Sequence, residues 1–459
     1  MNVHPLPPRP PRSAVGARAL VALAAAVPLG LALAGPAAAD APWSAPRTVG
    51  PGVELDRVVV GTGGASLAFG YGGAPQLLPV AADGTPGRVR RVPNVSALGA
   101  YGNRAVLLRT AGRRGPEGVS FADLGARSLG PLHRVARAGE GAEGLAVGRG
   151  GHALVVLGSG GRTEDESPEP LASRLRLSWS TPGRRPRPSS LALAGRADLL
   201  AAAVDRRGAA TLLLERVTAT GDRVVLARTV DLRTRRLGPE RRLDRTALDT
   251  INGSVAVDDR GGAVLAWGMQ DGGEEADRPY VVRGAFRRRG TTAFTRAATL
   301  DPGGTRERPG GVPQTAMDDD GRATVAWTQA TGELGGPTSP RAAVATRTAR
   351  FGPTTELLPE GYVSDVAVRG DTTVVALTGS ALPFDPVAES IDAPPPTVAG
   401  VVVRRGAGPL GAVEPVASAI PGDRGALLLG AGAAGFRAVW EGARAAGRDA
   451  LRWAARPLR

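Results

Sequence analysis

Apolar residues along this chain fall into short runs, broken at intervals by polar turns built from Asp and Gly. The clearest case is Ala256-Val-Asp-Asp-Arg-Gly-Gly-Ala-Val-Leu-Ala-Trp267, which returns in the same register as Ala316-Met-Asp-Asp-Asp-Gly-Arg-Ala-Thr-Val-Ala-Trp327. Weaker copies run from Ala203 to Leu214 and from Ala146 to Leu157. Each copy reads as a strand, a tight turn and a second strand. Recurrence at such spacing is the mark of a repeat architecture.

A second periodic segment counts the units. Trp43–Val49 recurs at Leu129–Val135, Leu237–Leu243, Phe294–Leu300, Phe351–Leu357 and Leu410–Val416, with looser members at Pro86–Val92 and Arg187–Leu193. Several carry an internal proline, which has no N–H for a ladder and so belongs on an edge strand. In one unit the strands are expected at Ile251–Val257, Gly262–Trp267, Tyr280–Phe286 and Phe294–Leu300. Four antiparallel strands in roughly 40 to 60 residues is the blade of a β-propeller. The last residue of the second strand aligns at Phe69, Leu108, Leu157, Leu214, Trp267, Trp327, Leu377 and Trp440. These define eight four-stranded blades, or seven if one irregular terminal unit is misread.

The two ends of the chain are complementary. After Trp440 one strand remains, Ala450–Ala455, while Trp43–Val49 precedes the first unit without a unit of its own. Lending the N-terminal strand to the last unit closes a ring and covers a sheet edge. The expected fold is all-β, a single propeller.

The start of the chain changes the compartment. Arg9, Arg12 and Arg18 precede the apolar run Ala19–Gly35, and Ala37–Ala39 offers a cleavage site before Asp40. This is the pattern of a secretory signal peptide. Pro28 and the small residues favour removal over a retained anchor. Residues 1–39 are therefore read as the signal and 40–459 as the propeller, secreted and monomeric.

Cysteine is absent, so disulfides and thiolate chemistry are excluded. All 57 basic residues are arginine. Loss of three arginines and no acid with the signal lowers the net charge from +14 to +11. Codon bias and solubility explain that balance at least as well as an anionic partner.

The Ala-Val-Asp-x-x-Gly-x-Ala-x-x-Ala-Trp pattern, followed by an aromatic-Gly-x-Pro edge strand, resembles secreted bacterial β-propeller repeat proteins common in actinobacteria. The resemblance is sharpest from Ala203 to Leu357 and implies a fold and an export route. It supplies no catalytic residues to carry over.

Candidate chemistry then divides between motifs and loops. Asp258, Gly261 and Trp267, with Asp318, Gly321, Trp327 and Trp440, recur and are read as scaffold. Contiguous acids without a later bidentate ligand suit a hairpin turn better than a calcium loop, and no metal or cofactor is expected. Connections between second and third strands share one face, and four are long: Gly158–Ser173, Gly268–Pro279, Thr328–Arg341 and Gly379–Val398. Three are acidic, with Glu164, Asp165, Glu166 and Glu169, then Asp271, Glu274, Glu275 and Asp277, then Asp385, Glu389 and Asp392. Variable loops on a rigid scaffold are where binding is sought.

The other face carries arginines: Arg184, Arg185, Arg187, Arg235, Arg236, Arg287, Arg288 and Arg289. These are candidates for docking to anionic wall material. Nucleic acid is not expected, for no aromatics interleave to stack bases. His133 and His152 lie inside strand repeats, and no Ser/His/Asp constellation or carboxylate pair stands out. The sequence thus favours non-catalytic binding of a protein, peptide or glycan through the acidic loops. The alternatives are a sialidase- or glycosidase-like hydrolase and a wall-docked protein.

Overall fold

The second strand of each repeat is apolar at nearly every position because it lies between two neighbouring sheets. In Ala263–Gln270, Val264 and Ala266 pack with Met317, Val325 and Trp327 of the sheet that follows. Leu265, Trp267 and Met269 pack with Leu213, Val225 and Ala227 of the sheet before. Successive side chains of a strand point to opposite faces, so burial on both faces removes polar alternation. Leu212 and Leu214 repeat the arrangement one sheet earlier, facing Leu154 and Val156.

This computed structural model describes residues 43–457 except 52–53, 61–65, 72–74, 93–94, 102–103, 110–117, 124–132, 135–140, 160–173, 181–189, 194–196, 247, 271–279, 302–306, 310–311, 332–337, 346–349, 380–396, 421–426, 433–434 and 444–448. All belong to the unit Ala41–Arg459. The described residues are all-β and form eight antiparallel sheets, most of four strands.

In chain order the first strands of these sheets are Glu54–Val60, Val95–Tyr101, Gly141–Val147, Asp198–Val204, Asp249–Val257, Gln314–Met317, Tyr362–Arg369 and Leu428–Gly432. Within a sheet the strands follow in sequence, as in the fifth: Asp249–Val257, Ala263–Gln270, Tyr280–Arg287, Ala298–Asp301. The described parts of the recurring edge segments lie in outer strands or in short bridges, among them Val80 to Pro86, Arg287 to Phe294 and Ala345 to Phe351. In the eighth sheet the outer strand is N-terminal: Arg47–Pro51 pairs antiparallel with Asp449–Arg456, Arg47 opposite Trp453. Ser44 extends this seam, its N–H donating to the carbonyl of Ala455 at 2.8 Å. Val49, Val439, Leu451 and Trp453 of the eighth sheet pack against Val58, Ala68, Leu78 and Val80 of the first.

Strand lengths differ from expectation in one place that matters for the loops. The segment Thr328–Arg341 is largely strand, with Thr328 opposite Pro340 and Ala330 opposite Thr338. Glu307–Pro309 lies along Gln329–Thr331 and extends the sixth sheet by a further pairing. The ladder there continues past Trp327 because an added strand satisfies its outer backbone groups.

The repeated turns owe their shape to one aspartate each. Asp258 Oδ1 accepts the N–H groups of Arg260 and Gly262, both at 2.8 Å, and Asp318 Oδ1 accepts those of Asp320 at 3.0 Å and Arg322 at 2.8 Å. Asp205 does the same for Arg207 and Ala209. Gly261 and Gly321 take φ of 87° and 80°, a left-handed geometry open to glycine at little cost. The other carboxylate oxygen then tethers an arginine. Arg289 binds Asp258 Oδ2, and Arg404 Nη2 lies 3.4 Å from Asp318 Oδ2, with both side chains of the latter pair fully buried.

Candidate functional site

The first strands together surround a cavity of about 530 Å³, with lining residues contributed by all eight sheets. Its wall is mostly Val, Ala and Leu, and its polar members are few: Arg57, Arg149, Asp259, Gln314, Ser364 and Asp365. A polar side chain reaches it partly because the strands are irregular. In six sheets the register between first and second strand shifts near the start of the first strand, the signature of a β-bulge. A bulge bends its strand and re-aims the following side chain. The residues just past it are Arg57, Ala97, Gly144, Ala201, Asn252 and Asp365.

One end of this space is crossed by a side chain. Arg149, in the turn after the first strand of the third sheet, donates from Nη1 to Asp319 Oδ1 at 3.0 Å and from Nη2 to the Val368 carbonyl at 3.0 Å. Those partners belong to the sixth and seventh sheets, so the guanidinium joins elements that are far apart in the chain. The described ends of the long connections, Ser159, Gln270 and Gly379, lie at the opposite ends of their sheets.

Asp365 is the most perturbed group in the cavity. It opens onto the cavity yet is enclosed by the wall, and this burial pushes its pKa up to about 6 from 3.8. Hydrogen bonds from the N–H groups of Leu429 and Val366, at 2.9 and 2.8 Å, and the charge of Arg57 work against that rise. A raised pKa means that the folded state binds the proton more tightly than the unfolded chain. The stabilisation is complete below the unfolded value and is lost as pH rises through about 6. Because Asp365 faces open space, about 1 to 3 kcal/mol is expected between pH 4.5 and 7.5. Urea midpoints across that range should fall for the wild type relative to Asp365→Asn. Parallel curves for the two proteins would contradict the burial of this carboxyl.

The acidic candidates Glu164, Asp165, Glu166, Glu169, Asp271, Glu274, Glu275, Asp277, Asp385, Glu389 and Asp392 lie outside the described residues, as do Arg184, Arg185 and Arg187. Among the other arginines the structure separates two kinds. Arg235, Arg236 and Arg288 are exposed, with Arg235 over the Trp179 ring at 6.0 Å. Arg287 is not available to a surface ligand. It is 5% exposed, donates to the Gly261 carbonyl at 3.1 Å and to Thr211 Oγ1 at 3.1 Å, and ties the fifth sheet to the fourth. Burial lowers its pKa, which Asp205 and Asp258 oppose. Arg289 likewise serves the turn through Asp258 and the Asp319 carbonyl. A run of three arginines reads as one charged patch in sequence. Strand alternation sends the first of them inward.

The scaffold residues are placed as the repeats indicate. Asp258 and Asp318 are buried, Trp267 and Trp327 have no exposed surface, and Trp440 packs between the seventh and eighth sheets. His152 is buried against Gly208 with Nδ1 unpartnered among the described residues, and burial lowers its pKa. Sequence reasoning missed Arg57, Arg149 and Asp365. Comparing repeats position by position would have flagged Arg57 and Asp365, which stand where other sheets have Ala, Gly or Asn.

No protein-family model matches the chain, and no curated protein is significantly similar to it. Solved structures that resemble it include Kuenenia stuttgartiensis hydrazine synthase, at 12% identity and a TM-score of 0.48, covering 79% of this chain and 97% of that one. Another is the β-propeller domain of the trilobed protease from Pyrococcus furiosus, at 9% identity and 0.41, covering 78% and 95%. A third is a polysaccharide lyase, at 9% identity and 0.43, covering 80% and 90%. The all-β chain of four-stranded antiparallel sheets therefore has propeller-like neighbours, and at this distance none of their activities carries over.

Proposed function

We propose that this chain is an exported eight-bladed β-propeller, its ring closed by the N-terminal strand, that binds a cationic peptide outside the cell without acting on it chemically. The observation that carries the reading is the single cavity lined by the first strands of all eight sheets. A space shared by eight consecutive sheets needs the eighth to meet the first, and the packing of Val439 and Trp453 on Val58 and Ala68 supports that closure. With Arg149 across the turn side, the ligand enters from the side on which Ser159, Gln270 and Gly379 begin the long connections. Export rests on the N-terminal signal pattern, and the secreted repeat proteins that the motif resembles share both features.

The test is equilibrium binding of residues 40–459 to arginine- and lysine-rich peptides and to neutral oligosaccharides. Saturable peptide binding, weakened by salt, is expected. It should weaken by about tenfold or more when Asp271, Glu274, Glu275 and Asp277 become Asn or Gln together. Hydrolysis of a glycoside or peptide substrate that the same change abolishes would replace this reading with the hydrolase one. Absence of any saturable ligand would remove the acidic loops as a site.

A further inference from the structure

We infer that the channel is a capture site for a carboxylate group, with Arg57 as the residue that receives it. This deepens the binding reading by naming the ligand group that enters the channel. It relies on the closed ring and not on the acidic loops.

Three features of the channel lead there. Arg57 lines the cavity and is exposed to it, and among the described residues no carboxylate lies within ion-pair distance of its guanidinium. The nearby acid, Asp365, feels the charge of Arg57 but forms no direct ion pair with it, its oxygens accepting instead from Leu429 N and Val366 N. The second channel arginine, Arg149, is likewise satisfied by Asp319 and the Val368 carbonyl. Arg57 is thus left without a direct ion pair among the described residues. The remaining acid in the wall, Asp259, sits in the turn after the first strand of the fifth sheet, toward the end that Arg149 crosses. Gln314, on the first strand of the sixth sheet, offers a neutral amide to the same space.

Arginine presents a planar fork of N–H donors that matches a carboxylate with two parallel bonds. The cavity falls within the roughly 300 to 1,000 Å³ usual for small-ligand sites. A peptide C-terminus and a sugar acid both present this group on a compact body. Either would leave its remaining polar or cationic parts toward the loop side.

The experiment is calorimetric titration of residues 40–459 with four probes: N-acetyl-trialanine, its C-terminal amide, D-glucuronate and D-glucose. Saturable binding is expected for at least one acid and for neither neutral partner, and which acid binds identifies the source. Arg57→Gln should weaken that binding by about tenfold or more, Arg57→Lys should weaken it less, and Arg88→Gln, at an exposed outer position, should leave it unchanged. Equal binding of an acid and its neutral counterpart, or no acid binding up to millimolar concentration, overturns the inference. So does an Arg57→Gln protein that unfolds like the wild type and binds undiminished. If Arg57→Gln fails to fold, the comparison of acid with amide on the wild type and the Arg57→Lys titration decide the matter. Basic-peptide binding that depends on the acidic loops yet ignores Arg57 would sink this inference and leave the broader reading standing.

Discussion

Replacing Asp318 with alanine is expected to lower the free energy of unfolding by about 3 to 5 kcal/mol. Its carboxylate is fully buried beside Arg404, whose side chain is also fully buried. Arg404 is otherwise held by neutral groups: Thr324 Oγ1 at 3.2 Å, Thr373 Oγ1 at 3.1 Å and the Gly406 carbonyl at 2.6 Å. Burial already lowers the Arg404 pKa, and Asp318 is the first influence opposing that. Without the carboxylate a guanidinium stays in the interior with only the lesser influence of Asp371 to oppose its burial, which costs far more than the pair itself contributes. The turn also loses the acceptor for Asp320 N–H and Arg322 N–H.

The neighbouring acid provides the control. Asp319 pairs with Arg149, but their side chains are 49% and 41% exposed, so Asp319→Ala should cost no more than about 1 kcal/mol. Guanidinium denaturation of the two variants should separate them clearly. Combining Asp318→Ala with Arg404→Met should recover part of the loss, because both charges are then gone. Equal midpoints for the two single variants would mean that Asp318 is not the buried anchor of its turn.

Trp267→Ala and Trp327→Ala should each cost about 3 to 5 kcal/mol, as truncation of a buried aromatic does. Both rings have no exposed surface, and each fills the space between consecutive sheets. The phenylalanine variants should distinguish two residues that look identical in the repeat. Trp327 Nε1 donates to Asp301 Oδ2 at 3.3 Å, an oxygen that also takes Arg341 Nη1 at 2.7 Å. Trp267 Nε1 has no partner among the described residues. Trp327→Phe should therefore cost about 0.5 to 1.5 kcal/mol more than Trp267→Phe, the worth of one hydrogen bond. Thermal or chemical unfolding of both variants checks this, and a reversed order would place the Asp301 contact in doubt.

These two predictions also mark how far the residues alone could be read. That Trp267 and Trp327 occupy the same place in their repeats is visible in the chain. That one indole is bonded and the other is not depends on Asp301, which reaches Trp327 from the last strand of the preceding sheet. Similarly, Asp318 reads as a turn residue, and its burial follows from Arg404, 86 positions away.

The sequence by itself determined the repeating strands and their order in most sheets, the turns between the first and second strand, and the N-terminal strand's place beside Asp449–Arg456, but not Glu307–Pro309 beside Gln329–Thr331. Those features rest on short-range physics: alternation of side chains, the φ available to glycine, the missing N–H of proline and the carboxylate of a turn aspartate. Only the tertiary structure decided which charges are hidden and which meet. Arg287 turns inward while Arg288 stays out, Arg57 lines the cavity with its charge acting on Asp365, and Arg149 reaches Asp319 across 170 positions of chain. No local pattern encodes such meetings. They arise because packed sheets bring distant strands to line one cavity, and a bulge of a single residue then chooses which side chain faces it.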